Sequence, residues 1–248
     1  GIIPAFYACY DANGAINPAA VREMTQWFID QGVQGLYVGG SSGECIYQGK
    51  EDRKILLENV MAEAKGKLTI IAHVACNNTA DSMELAAHAE SLGVDAIASI
   101  PTIYFRLPED AIAKYWNDIS SAAPNTDFVI YNIPQLAGVS LTLSLFDEML
   151  KNPKVIGVKN SSMPIQDIQM FKRQAAINGK DVVVFNGPDE QFISGLLIGA
   201  DGGIGTNYNI LMDYIRPIYD NFVAGNIEKA REAQYIANRI ITVMMGTK

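Results

Sequence analysis

KVIGVKNSS, residues 154–162, is a short apolar run that ends in a lysine. Val155, Ile156 and Val158 leave it no polar face, so it reads as a strand buried on both sides, the kind found in parallel sheets covered by helices. Strict alternation would turn Ile156 and Val158 toward the helices and Gly157 and Lys159 inward. Seven other runs share its character: IIPAFYAC (2–9), GLYVGG (35–40), LTIIAHVA (68–75), DAIASI (95–100), FVIYNIP (128–134), VVVFNG (182–187) and GGIGT (202–206).

Segments with helical spacing separate these runs. One is capped by Asn17, has Pro18 at its first position and stops at Gly32. Another follows Asn78 through TADSMELAAHAESLG (79–93), with Gly93 beyond its end. Segments 108–122, 141–152, 164–178, 189–200 and 208–225 repeat the theme. About eight strand–helix units in this order predict a closed (β/α)8 barrel, a TIM barrel. A doubly wound open sheet is the rival, but it has fewer strands and a Gly-rich phosphate turn after the first; YDANGAINP (10–18) has one glycine. The barrel is expected over residues 1–225, with an extra C-terminal helix over 226–248.

The bulk composition fits one domain. The 248 residues are 49% hydrophobic and 19% charged, with no Pro/Gly/Ser-rich linker. A formal net charge of -8 argues against nucleic acid or an anionic membrane as the partner, though a local site can still hold a small anion. Cys9, Cys45 and Cys76 form no CxxC pair or zinc spacing, which fits reduced thiols in a cytoplasmic protein without a metal. The first ten residues do not read as a signal peptide, and no apolar run approaches the roughly 20 residues of a membrane span.

In a barrel the chemistry gathers at the carboxyl ends of the strands. Here those ends read GGSSGE (39–44), YNIP (131–134), KNSS (159–162), NGPDE (186–190) and GTNYN (205–209). Lys159 is the candidate nucleophile: burial disfavours the ammonium, and a neutral amine attacks a carbonyl to give an imine. Pairing with an acid, or snorkelling to solvent, is the alternative. Tyr131 could pass protons to and from such an intermediate, or simply fill the barrel mouth. Ser41 and Ser42, with open glycine amides beside them, could hold a carboxylate or cap the next segment. Asp189 and Glu190 could accept hydroxyls or complement a helix N-terminus. His73 and His88 fit structural roles. Tyr104, Tyr115 and Trp116 fit the core or an interface.

Taken together, GGSSGE, YNIP, GVKNSS (157–162) and GADGGIGTNYN (199–209) resemble, in order and along the whole chain, the N-acetylneuraminate lyase and dihydrodipicolinate synthase family of class I aldolases. The resemblance implies that Lys159 forms a Schiff base with a 2-keto acid, that Tyr131 shuttles protons, and that Ser41 and Ser42 hold the substrate carboxylate. Tyr104, in PTIYFRL (101–107), matches a family tyrosine supplied across a subunit interface. The synthase branch carries an arginine where YNIPQLAG (131–138) has Leu136, so the lyase branch fits better. Its implied reaction is reversible cleavage of N-acetylneuraminate to N-acetylmannosamine and pyruvate, with no cofactor beyond the imine. Ser161, Gly187, Asp189, Glu190 and Thr206 would then bind the sugar's hydroxyls. Pro188, where some lyases have an aromatic, and Thr206, where serine is common, are departures. Other pyruvate-dependent aldolases, or an inactive pyruvate-binding barrel, are the alternatives. The family also implies a homotetramer and helices continuing past VMMGTK (243–248), so the C-terminal segment reads as cut short.

Overall fold

The computed structural model describes residues 1–246. Thr247 and Lys248, the end of the expected C-terminal helix, lie outside the described residues. The strands are β1 (Ile2–Pro4), β2 (Gly35–Val38), β3 (Thr69–His73), β4 (Ala96–Ser99), β5 (Asp127–Asn132), β6 (Val155–Asn160), β7 (Val183–Asn186) and β8 (Gly202–Gly205). All pair in parallel with their sequence neighbours, and β8 pairs with β1. A bridge between Ala5 and Tyr37 brings β1 to β2 and closes the barrel.

The helices are α1 (Pro18–Asp30), α2 (Lys50–Ala64), α3 (Thr79–Leu92), α4 (Glu109–Ser121), α5 (Pro134–Ala137), α6 (Leu143–Leu150), α7 (Gln166–Ile177), α8 (Phe192–Leu197), α9 (Met212–Val223) and α10 (Ile227–Gly246). The predicted caps are used as read: Asn17 accepts from the amide of Ala20, Asn78 from that of Asp81, and Gly93 ends α3 in the left-handed region. The sequence pattern did not single out α2, whose apolar positions are interrupted by buried Arg53 and Asn59.

Alternation along the strands builds two apolar layers. Leu36, Val38, Ile70, Ile97, Phe128, Ile130 and Val158 face outward into the layer shared with the helices. Ile3, Ala5, Tyr37, Ile71, Ala96, Ala98, Val129, Tyr131 and Ile204 fill the barrel interior. One expectation fails in β6. Ile156 packs against the interior cluster rather than the helices. The register explains why: Phe128 pairs with Val155, but Val129 pairs with Gly157, so Ile156 is an extra residue opposite β5. Above this bulge the alternation is regular, and Lys159 faces inward beside Tyr131 and Phe185 of the neighbouring strands.

The C-terminal helix α10 lies against α9 and buries Ala230, Gln234, Ala237 and Ile241. It also meets the short turn Asp189–Gln191 after β7. No helix among the described residues is long and apolar enough to cross a membrane.

Candidate active site

Lys159 is 3% exposed, and its Nζ stands 4.0 Å from the ring centroids of both Tyr37 and Tyr131. Neither alternative from the sequence holds: the ammonium does not reach solvent, and no described carboxylate forms an ion pair with it. The two ring faces instead give it a cation–π seat. Tyr37 and Tyr131 meet edge to face at 5.6 Å, and His73 stands against both rings. Gly40 follows directly above this seat, where a Cβ would lie 2.6 Å from the Tyr37 ring; the turn into GGSSGE therefore needs a residue without one.

Tyr131, next to last in β5, is in register with Lys159, and its hydroxyl has no hydrogen-bond partner among the described residues. The Tyr37 hydroxyl is buried and unpartnered, and burial is the main reason its phenol is pushed well above the usual range. His73 is held neutral, its imidazole driven well below the usual range first by burial and then by the charge of Arg53. Its Nδ1 lies 2.9 Å from the carbonyl of Gly39, and its Nε2 accepts the amide of Ile100 at 3.4 Å. It ties the ends of β2, β3 and β4 together, a structural role, as does His88, whose Nε2 meets Glu58 at 2.9 Å. Arg53 secures the same end of β3 by donating to the carbonyls of His73 and Ala75.

The polar residues picked from the sequence form an arc over the strand ends. The Ser42 and Thr206 hydroxyls are 2.6 Å apart, latching the loop after β2 to the loop after β8. Ser161 and Gly187 extend the β-ladder, their amides donating to Asn132 and Asn160. They lie so close that a Cβ on Gly187 would fall 2.0 Å from the Ser161 hydroxyl. Asp189 is 4% exposed; Oδ2 accepts the backbone and side-chain N–H groups of Asn207, both at 2.7 Å, and Oδ1 is buried without a partner. Burial raises its carboxyl to about 6, against the opposing pull of Asn207 and of Lys159. Glu190 is exposed.

Ser41 and Leu136 line a cavity of about 540 Å³ at the same mouth, with Cys45, Arg53, Cys76 and Ile103. Tyr104 is not part of the Lys159 cluster. It is 89% exposed, which excludes the core from its two readings, core or interface, whereas Tyr115 and Trp116 are buried. It has φ of 83° and lines an adjoining cavity of about 660 Å³ beside α4, which shares Asn77 and Ile103 with the cavity at the mouth. A left-handed backbone costs a tyrosine about 1–2 kcal/mol, so this loop is held in a strained form.

The sequence matches the Dihydrodipicolinate synthetase family over residues 1–248. The chain belongs to that family. Within this dihydrodipicolinate synthetase family it is 65% identical over 244 residues to the N-acetylneuraminate lyase of Mediterraneibacter gnavus, covering 98% of this chain and 76% of the relative. It is 37% identical over 247 residues to an N-acetylneuraminate lyase of Escherichia coli, covering 100% of this chain and 82% of the relative. The wild-type sialic acid aldolase of Ruminococcus gnavus superposes with a TM-score of 0.96 at 64% identity, over 99% of this chain and 81% of that one.

Two groups at the site escape the sequence reading. Tyr37 and Tyr7 sit in apolar runs where an aromatic looks like core. Tyr7 is half-buried, and its phenol is raised by burial and by nearby Asp189. The second group is a row of asparagines, Asn132, Asn160 and Asn186, in register across β5, β6 and β7. Asn132 donates to Asn160 at 2.7 Å and accepts from Leu141, and Asn186 donates to the carbonyl of Pro188. The signal was present as YN, KN and FN, an inward residue followed by asparagine at three successive strand ends.

Proposed function

We propose that the protein is a class I aldolase that reversibly cleaves N-acetylneuraminate to N-acetylmannosamine and pyruvate. The observation that carries the reading is the buried Lys159 amine, seated between Tyr37 and Tyr131 with no carboxylate partner, in a chain closely similar to N-acetylneuraminate lyases. Once deprotonated, the amine attacks without an ion pair having to be broken first.

Lys159 adds to the C2 carbonyl of the sugar acid and loses water to form an imine. Tyr131 gives its proton to the hydroxyl that leaves the carbinolamine as water; its phenolate then takes the C4 hydroxyl proton, directly or through the substrate carboxylate, as the C3–C4 bond breaks and the imine becomes an enamine. The enamine is protonated at C3, and hydrolysis returns the amine and pyruvate. Ser41, Ser42 and the amides beside them hold the carboxylate. Ser161, Gly187, Asp189, Glu190 and Thr206 receive the hydroxyls of the sugar. Leu136, 62% exposed on α5, leaves the mouth without the arginine expected in the synthase branch. The reaction needs no cofactor beyond the imine.

We further propose a homotetramer in the cytoplasm. The exposed, strained Tyr104, beside exposed Phe105, supports an assembly in which it completes a neighbouring site. Incubation with pyruvate and borohydride, followed by peptide mass mapping, tests the chemistry. Hydride addition to the imine carbon leaves a stable secondary amine on Lys159. Absence of that adduct in folded protein would sink the imine mechanism, and an adduct without sialic acid cleavage would reject the lyase assignment.

A further inference from the structure

The buried face of α10 is apolar at Ala230, Ala237 and Ile241, yet it carries Gln234, which is 5% exposed. A buried amide is costly unless its groups are paired. Gln234 pairs three: Nε2 donates to the carbonyl of Asp189 at 3.1 Å and to Asn238 Oδ1 at 2.8 Å, and Oε1 accepts the amide of Ile193 at 2.9 Å. One turn on, Asn238 donates to the carbonyl of Glu190 at 3.1 Å. The two polar side chains thus hold the main chain of the turn Asp189–Gln191 at both of its acidic residues and at the start of α8. From the opposite side, Asn207 holds the Asp189 carboxylate. None of these bonds involves Lys159, Tyr131 or Tyr37.

We propose that Gln234 and Asn238 are positioning residues for substrate specificity: α10 sets the turn that presents Asp189 and Glu190 to the polyol end of the substrate, while imine formation at Lys159 proceeds independently of it. The inference rests on the sialic acid lyase reading of the same site. Its chemical content is a division of labour. Carboxylate capture and imine formation belong to the barrel strands, and recognition of the distal hydroxyls depends on a helix outside the barrel.

The test compares Gln234→Leu, Gln234→Glu and Asn238→Ala with wild type. Gln234→Leu removes every bond made by the amide. Gln234→Glu keeps the acceptor for Ile193 but loses donation to Asp189. Asn238→Ala, at a half-buried position, serves if Gln234→Leu fails to fold. Three readouts are taken: kcat and KM for N-acetylneuraminate, kcat/KM for a short 2-keto-4-hydroxy acid without the glycerol tail, and the rate of borohydride-trapped pyruvate adduct at Lys159. The expected result is a rise of roughly tenfold or more in KM for N-acetylneuraminate in Gln234→Leu, a smaller rise in Gln234→Glu and Asn238→Ala, and less than about twofold change in the other two readouts. Equal losses for long and short substrates would reduce α10 to a structural element and overturn the proposal, as would an unchanged KM. Failure of the lyase reading itself would look different, since wild type would then form no adduct or cleave no sialic acid.

Discussion

Replacing Asp189 by asparagine should make the protein more stable at neutral pH and worse at its reaction. The carboxyl is buried, one of its oxygens has no partner, and its pKa is raised from 3.8 to about 6, chiefly by desolvation. A carboxyl with a folded pKa above its unfolded value binds more protons in the folded state. Its contribution is therefore most favourable at low pH and is lost as pH rises from about 4 through about 6. At about 1.4 kcal/mol per pKa unit, the ionised group costs about 3 kcal/mol by neutral pH, and about 2 kcal/mol of that develops between about pH 4.5 and 7.5. The substituted amide does not titrate, while the other groups cancel between the two proteins. For a chain of this size 1 kcal/mol moves Tm by about 2–4 °C, so the lead of Asp189→Asn over wild type should widen by about 4–8 °C between about pH 4.5 and 7.5. Thermal melts at the two pH values measure this directly. A gap independent of pH would refute the account of Asp189 as a buried, poorly compensated charge. Sialic acid cleavage should fall in the same variant, because the acceptor offered to the hydroxyls is gone.

Tyr131→Phe should lower kcat by about 10²–10⁴, the usual worth of a positioned proton-transfer group, while pyruvate still forms the borohydride-trapped adduct; a wild-type kcat would remove Tyr131 from the proton path. Gly40→Ala places a Cβ 2.6 Å from the Tyr37 ring that seats Lys159. It should slow adduct formation and cost about 1–3 kcal/mol of stability by overpacking, and normal adduct kinetics would show the seat to be dispensable. Leu136→Arg should lower kcat/KM for sialic acid about tenfold, or about 1.4 kcal/mol, by crowding and charging the mouth. Unchanged turnover would displace Leu136 from the sugar site.

The barrel was legible because its strands are apolar on both faces and its helices carry caps such as Asn17 and Asn78, both local signals. Lys159 was legible for the opposite reason, as a charge where the pattern allows none. The groups around it were harder to find. Tyr37 has the spacing of an ordinary inward residue, and only the register shows that its ring lies under the amine. For Tyr104 the sequence left core and interface both open, because an aromatic in an apolar loop fits either; its exposure is a property of the chain's path, with a positive φ that composition does not encode. The hold of α10 on the turn after β7 joins residues more than 40 positions apart, beyond any local pattern. Ile156 was misassigned because a bulge leaves no mark in a sequence of small apolar residues.

That bulge makes the aim of the nucleophile a matter of parity. Val155 points outward, and in an uninterrupted strand Gly157 and Lys159 would point outward with it. The extra residue at Ile156 reverses the count, so the amine enters the barrel although nothing at position 159 itself was altered. Deleting the extra residue, Ile156, would restore plain alternation, with Val155 and Val158 outward and Gly157 and Lys159 inward as before. A bulge below the site thus lets the strand carry one residue more than its neighbour without turning its nucleophile away from the substrate.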